Sequence, residues 1–126
     1  MEIDNYTIAE SYFDKAKLIY SSIKLEDAIE LLDLQKGIVY KSKGDYKAAI
    51  EIFSQIASKS DEEDTFKTKA EALYQIGSIE IIRDRNNLAL NYLERALKLN
   101  NKDQNLDQKA KILLSLSLAY EKLLNI

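Results

Sequence analysis

The sequence predicts an all-α fold of about six helices, paired as antiparallel hairpins and stacked into a solenoid. Three observations point there. Apolar residues recur at helical spacing along most of the chain, and no segment sustains the alternation of a strand. There is no proline and there are only three glycines, which permits long helices and disfavours a many-turned β fold. The chain also echoes itself every forty residues: Ala9-x3-Phe13-x2-Ala16 returns as Ala49-x3-Phe53-x2-Ile56 and again as Ala89-x3-Leu93-x2-Ala96. The preceding segments keep the same phase. Leu73-x2-Ile76-Gly77 returns as Leu113-x2-Leu116-Ser117, and Gly37-x2-Tyr40 fills that slot one period earlier. Self-similarity at this period marks a stacked helical repeat, which presents a surface more often than it performs chemistry.

The elements follow in order. Over 6–20, Tyr6, Ala9, Phe13 and Ala16 share one helical face, and Asn5 can cap it. A second helix is expected over 26–43, with Glu26 and Asp27 at its positive end. Gly44-Asp45 is the clearest breaker: glycine takes the left-handed cap conformation, and Asp45 caps the next helix. That helix, 46–58, puts Tyr46, Ala49, Ile50, Phe53, Ile56 and Ala57 on one stripe. Ser60 or Asp61 offers the cap for a fourth helix over 62–83. Asp84 to Asn87 reads as a turn, 88–99 as a fifth helix, Asn100 to Asn105 as a polar connection and 106–124 as a sixth helix.

Composition narrows the function. A chain of 126 residues fits one domain, 1–126, and 46% hydrophobic with 31% charged is ordinary for a globular protein. A net charge of −3 leaves no electrostatic footprint for nucleic acid or an anionic membrane. Lys41, Lys43 and Lys47 beside Tyr40 and Tyr46 make only a small basic patch, better explained as a solvated face. Without cysteine or histidine there is no disulfide, no thiolate or imidazole metal site, no cysteine nucleophile, and no histidine, the residue most often used in general acid–base work. Glu62-Glu63-Asp64 is the densest carboxylate run, but acids at a helix start are expected from the helix dipole alone. No Gly-rich phosphate loop occurs. The expectation is a non-enzyme with no cofactor and no metal. No run approaches the roughly 20 apolar residues of a membrane span. The acidic start Met-Glu-Ile-Asp-Asn lacks the regions of a signal peptide, so the default location is cytoplasmic.

The segment Gly37-x2-Tyr40-x3-Gly44-Asp45-Tyr46-x2-Ala49-Ile50-x2-Phe53 resembles a tetratricopeptide repeat, and Leu73-x2-Ile76-Gly77 with Ala89-Leu90-x2-Leu93-x2-Ala96-Leu97 resembles a second copy. The resemblance spans nearly the whole chain. It implies a right-handed superhelical stack with a capping helix over 6–20, repeats over 26–58 and 62–99, and the first helix of a third repeat over 106–124. Small residues at Gly37, Gly77, Ala49 and Ala89 let paired helices approach, and burial of Phe53 or Leu93 should contribute about 2–3 kcal/mol each. Two departures matter. The period is forty residues instead of the family's usual thirty-four, with the surplus around Ser58–Lys69 and Leu99–Gln108. Asp33 and Lys36 stand where later copies have Leu73 and Leu113, or Ile76 and Leu116, so the first hairpin is degenerate.

The ends of the stack differ. Glu10 and Lys17 replace the apolar residues of later copies, which reads as a polar N-terminal cap. The last helix is apolar nearly all round. Its Leu113, Leu116, Leu123 and Leu124 predict a face awaiting more of a longer protein, self-association as a homodimer, or a partner that completes the stack.

Family resemblance places a partner peptide in the concave groove lined by the first helix of each hairpin. Transferred onto this sequence, the groove residues are Leu31, Leu34, Gln35, Ile38 and Lys41, then Glu71, Tyr74, Gln75, Ser78 and Ile82, then Lys111, Leu114, Ser115 and Leu118. Some relatives clamp a peptide's terminal carboxylates with Lys, Asn and Arg. Here those slots hold Leu34, Ile38, Gln75, Lys111 and Ser115, and only Lys111 keeps the chemistry. The expected function is therefore a scaffold that takes an apolar helix or extended protein segment, with Tyr74 as anchor and Tyr74→Ala weakening binding without lowering the melting temperature. The stretched repeats also resemble those of bacterial signalling and regulatory proteins, which implies a sensory segment of a larger protein as the alternative. A self-assembling structural module is the third reading.

Overall fold

The computed structural model describes residues 5–22, 26–59 and 66–124. They form six α-helices and no strand: α1 (Asn5–Ser22), α2 (Glu26–Ser42), α3 (Tyr46–Ala57), α4 (Phe66–Ile82), α5 (Asn86–Asp103) and α6 (Leu106–Leu124). The all-α helix-hairpin class is as the repeat predicts. The forty-residue phase is visible in the helix starts, at Glu26, Phe66 and Leu106 for one set and at Tyr46 and Asn86 for the other. The expected cap at Ser60 or Asp61 and the acidic run Glu62-Glu63-Asp64 lie outside the described residues. The chain divides into two compact units, Met1–Ile56 and Ala57–Ile126.

In the first unit α1 packs on α2. The contact is ionic where an apolar one would be usual. Lys17 pairs with Asp33 at 2.8 Å, and Lys36 with Asp14 at 2.6 Å and Glu10 at 3.9 Å. The Tyr40 hydroxyl donates to Glu10. Glu10 and Lys17 are thus turned onto α2, and Asp33 and Lys36 are their partners; the degenerate positions of the two helices answer one another. Such part-exposed pairs contribute about 0–1 kcal/mol each, so α1 is held less firmly than a leucine seam would hold it. The outward side of α1 instead shows Tyr12, Leu18 and Ile19.

Between α2 and α3 the turn closes by backbone bonds from Asp45 N–H to Tyr40 O and from Gly44 N–H to Lys41 O, with Gly44 at φ 85°. This is the paired C-terminal bonding that a left-handed glycine permits. Asp45 then accepts from the Ala48 N–H at 3.2 Å, capping α3 as expected. Ala49, Phe53 and Ile56 of α3 are buried. Phe53 lies against Gly37: a Cβ on that glycine would stand 2.6 Å from the ring.

The second unit repeats the scheme. α5 packs on both α4 and α6, and α4 touches α6. Ile81, Ala89, Leu93 and Ala119 form one buried cluster, and Leu73, Ala96 and Ile112 another. Tyr74 and Leu116 pack against both. Gly77 repeats the role of Gly37, with Leu93 Cγ 2.6 Å from where its Cβ would be.

The turn between α4 and α5 is narrower than the expected Asp84–Asn87. It closes with Arg85 N–H to Glu80 O and Asp84 N–H to Ile81 O, the same bonds as one period earlier. Asp84 holds φ 62° in glycine's place, and Arg85 makes no side-chain cap. Both are weaker choices than the Gly-Asp of the first turn. Arg85→Asp, which leaves Asp84 to accept from Asn86 Nδ2 at 3.2 Å, is expected to raise stability by about 1 kcal/mol, read as a higher midpoint in denaturant titration. An unchanged or lower midpoint would contradict this account of the turn.

The fifth helix also runs past its expected end at 99. Asn100 is fully buried, and its amide donates to Asn105 O at 2.9 Å and to Gln108 Oε1 at 3.0 Å. The amide nitrogen is bonded across the turn, while Oδ1 is buried without a hydrogen-bond partner among the described residues, and the side chain does not break the helix. Gln104, at φ 59°, ends it instead. Asn105 then caps α6 by accepting from the Gln108 N–H at 2.8 Å. The surplus of the period after Leu99 has become helix: α5 has 18 residues where α3 has 12.

Candidate functional site

A rotation of 100° per residue divides α6 into three sides. Ile112 and Ala119 are buried, with Leu116 and Leu123 half-buried beside them, and this side faces the unit's core. A second side carries Lys111, Leu114, Ser115 and Leu118. The third carries Leu113, Ser117, Tyr120, Glu121 and Leu124. The apolar character seen all round the helix is thus one core stripe and two exposed ones.

On the second side Leu114 is 72% exposed and Leu118 43%. Forty residues earlier, the same positions on α4 are Glu71, Tyr74, Gln75 and Ser78, followed by Ile82, which is 56% exposed. The contact of α4 with α6 brings these two strips side by side in one unit. Their polar centre is fixed. Glu71 accepts from Gln75 Nε2 at 3.0 Å and from Gln108 Nε2 at 3.4 Å, and Gln108 Nε2 also donates to Lys67 O at 3.0 Å. Its carboxylate is held in place while remaining partly open to solvent. Lys111 is exposed and pairs with Asp107 at 3.6 Å.

Two of the expected contact residues have little surface to offer. Gln75 is buried, and so is Leu34 of α2. Their contribution is to shape. Tyr74 is half-buried against both core clusters, so its truncation removes packing as well as any contact surface. The expectation that Tyr74→Ala leaves melting unchanged does not survive this placement. In the first unit Ile38 and Lys41 are half-buried, and Leu31 is exposed.

The family model of the tetratricopeptide repeat matches residues 34–58 and 70–103. The chain carries tetratricopeptide repeats. The matched segments are the two hairpins, α2–α3 from Leu34 and α4–α5 from Ala70, each with its small residue against the second helix. No curated protein and no solved structure matches the chain. Repeats of this family generally mediate protein–protein interaction. Among the described residues no helix is long and apolar enough to cross a membrane, and no group of three or more acidic side chains could hold a metal ion.

Proposed function

We propose that the protein is an interaction scaffold whose second unit takes an apolar segment of another protein across α4 and α6. Leu114, Leu118 and Ile82 form the apolar contact, half-buried Tyr74 forms the floor, and the tethered Glu71 carboxylate receives a donor from the bound segment. The observation that carries this reading is the exposed leucine pair of α6, on a helix that touches α4, where the Glu71 carboxylate is fixed by two glutamines. A preorganised acceptor orders a ligand without first having to order itself.

Selection from a displayed random-peptide library on the immobilised chain tests this. The selected peptides are expected to be apolar and to carry a basic or amide side chain. Their affinity should fall at least roughly tenfold, about 1.4 kcal/mol, on Leu114→Glu/Leu118→Glu, while the melting curve of that variant stays close to the parent's. Equal affinity for parent and variant would place binding elsewhere.

A further inference from the structure

The repeated triplet is not covered equally in its three copies. Ala49, Phe53 and Ile56 are 0–2% exposed, and Ala89, Leu93 and Ala96 are 0%. Ala9, Phe13 and Ala16 of α1 are all only half-buried. The cover in the later copies is the preceding helix of the same hairpin: Gly37 of α2 lies on Phe53, and Leu73, Gly77 and Ile81 of α4 lie on α5. In α1 the charged side bearing Glu10, Asp14 and Lys17 is the one turned to α2.

At the other end, α6 repeats the α5-facing stripe of α4. Leu113 stands for Leu73, Ser117 for Gly77 and Glu121 for Ile81. Leu73 is 2% exposed but Leu113 is 45%. Ser117, Tyr120, Glu121 and Leu124 line an open depression along this side. Among the described residues no second helix covers this stripe, and none covers the α1 triplet as α2 and α4 cover theirs. The lengths of α1 and α5 agree as well, since both have 18 residues.

We infer that the two are halves of one interface: α1 of one copy docks on α6 of another, in the register in which α5 docks on α4. Phe13 then lies over Ser117, as Leu93 lies over Gly77. Tyr12 takes the place of Tyr92, which packs against the cluster that includes Leu73, and so meets Leu113 of the other copy. Ser117 holds the incoming helix farther out than a glycine would, and Glu121 replaces an isoleucine. The contact is accordingly weaker than α4–α5 and reversible. It joins unlike surfaces, so each copy offers one half to a neighbour and keeps the other half available. It uses the third side of α6, next to that of Leu114 and Leu118, and its Leu113 and Ser117 are not among the residues of the peptide-binding reading.

Sedimentation velocity of the whole chain across a roughly hundredfold concentration range tests the inference, with two variants. The parent is expected to associate as concentration rises. Tyr12→Arg, at a position 65% exposed, and Leu113→Arg should each stay monomeric alone. Mixed, they should form a one-to-one dimer, because each retains the half that the other has lost. Circular dichroism checks that both remain folded, and Ser117→Arg, also exposed, serves in place of Leu113→Arg if that variant loses helix. A parent that is monomeric throughout overturns the inference. So does a parent dimer that Tyr12→Arg leaves intact, which would mean that α6 pairs with its own copy.

Discussion

Phe53→Ala is expected to lower stability by about 3–5 kcal/mol. The ring is fully buried, and it fills the place that Gly37 leaves open by having no Cβ. Glycine cannot close the space, so truncation leaves a cavity along the α2–α3 seam. Phe53→Leu, which installs the residue found at position 93, should cost less than about 1.5 kcal/mol. Denaturant unfolding measures the loss. Amide hydrogen exchange locates it: protection should fall in α2 and α3 while the amides of α5 and α6 keep theirs, because repeat stability is built from neighbouring contacts. A loss below about 1 kcal/mol would mean that the ring is not packed as described.

Gly77→Ala is expected to be destabilising even though alanine is the better helix former by about 1 kcal/mol. The new methyl would meet Leu93 Cγ at 2.6 Å and Cδ2 at 2.7 Å, and the branch point of a buried leucine has nowhere to retreat. Overpacking of this kind costs about 1–3 kcal/mol, enough to outweigh the gain in propensity. The mechanism has its own check. Once Leu93→Ala has removed the obstructing atoms, Gly77→Ala should cost little or become favourable, giving a coupling of at least about 1 kcal/mol in a double-mutant cycle. If Gly77→Ala stabilised the parent as it would an exposed helix, the close approach of α4 and α5 would be wrong.

Much of this architecture is legible in the sequence, for reasons that are local. Gly44-Asp45 specifies its turn by backbone freedom and a side-chain cap, both available within a few residues. The Ala-x3-Phe triplet announces a buried stripe because helix periodicity is a short-range property. What the sequence hides is long-range. Asn100 reads as a breaker because its partners, Asn105 and Gln108, become visible only when α6 folds back. Glu10 and Lys17 read as solvent-facing because their partners lie on the next helix; the one signal was that Asp33 and Lys36 of complementary charge occupied apolar slots of the same frame. The candidate site is legible as a set of positions, not as a surface. Resemblance names Leu34, Tyr74, Gln75 and Leu114 alike, and packing alone decides that Leu34 and Gln75 are buried while Leu114 stands out.

The scaffold reading rests on one face of the second unit, and amide chemical-shift mapping addresses it most directly. The isotope-labelled chain would be titrated with the tightest selected peptide at a concentration where it is monomeric. Perturbations are expected to concentrate at 71–82 of α4 and 111–118 of α6, with Glu71 and Leu114 among the largest and α1 undisturbed. Shifts confined to α1, to α3 or to the Leu113–Ser117–Leu124 side of α6 would contradict the proposed binding face.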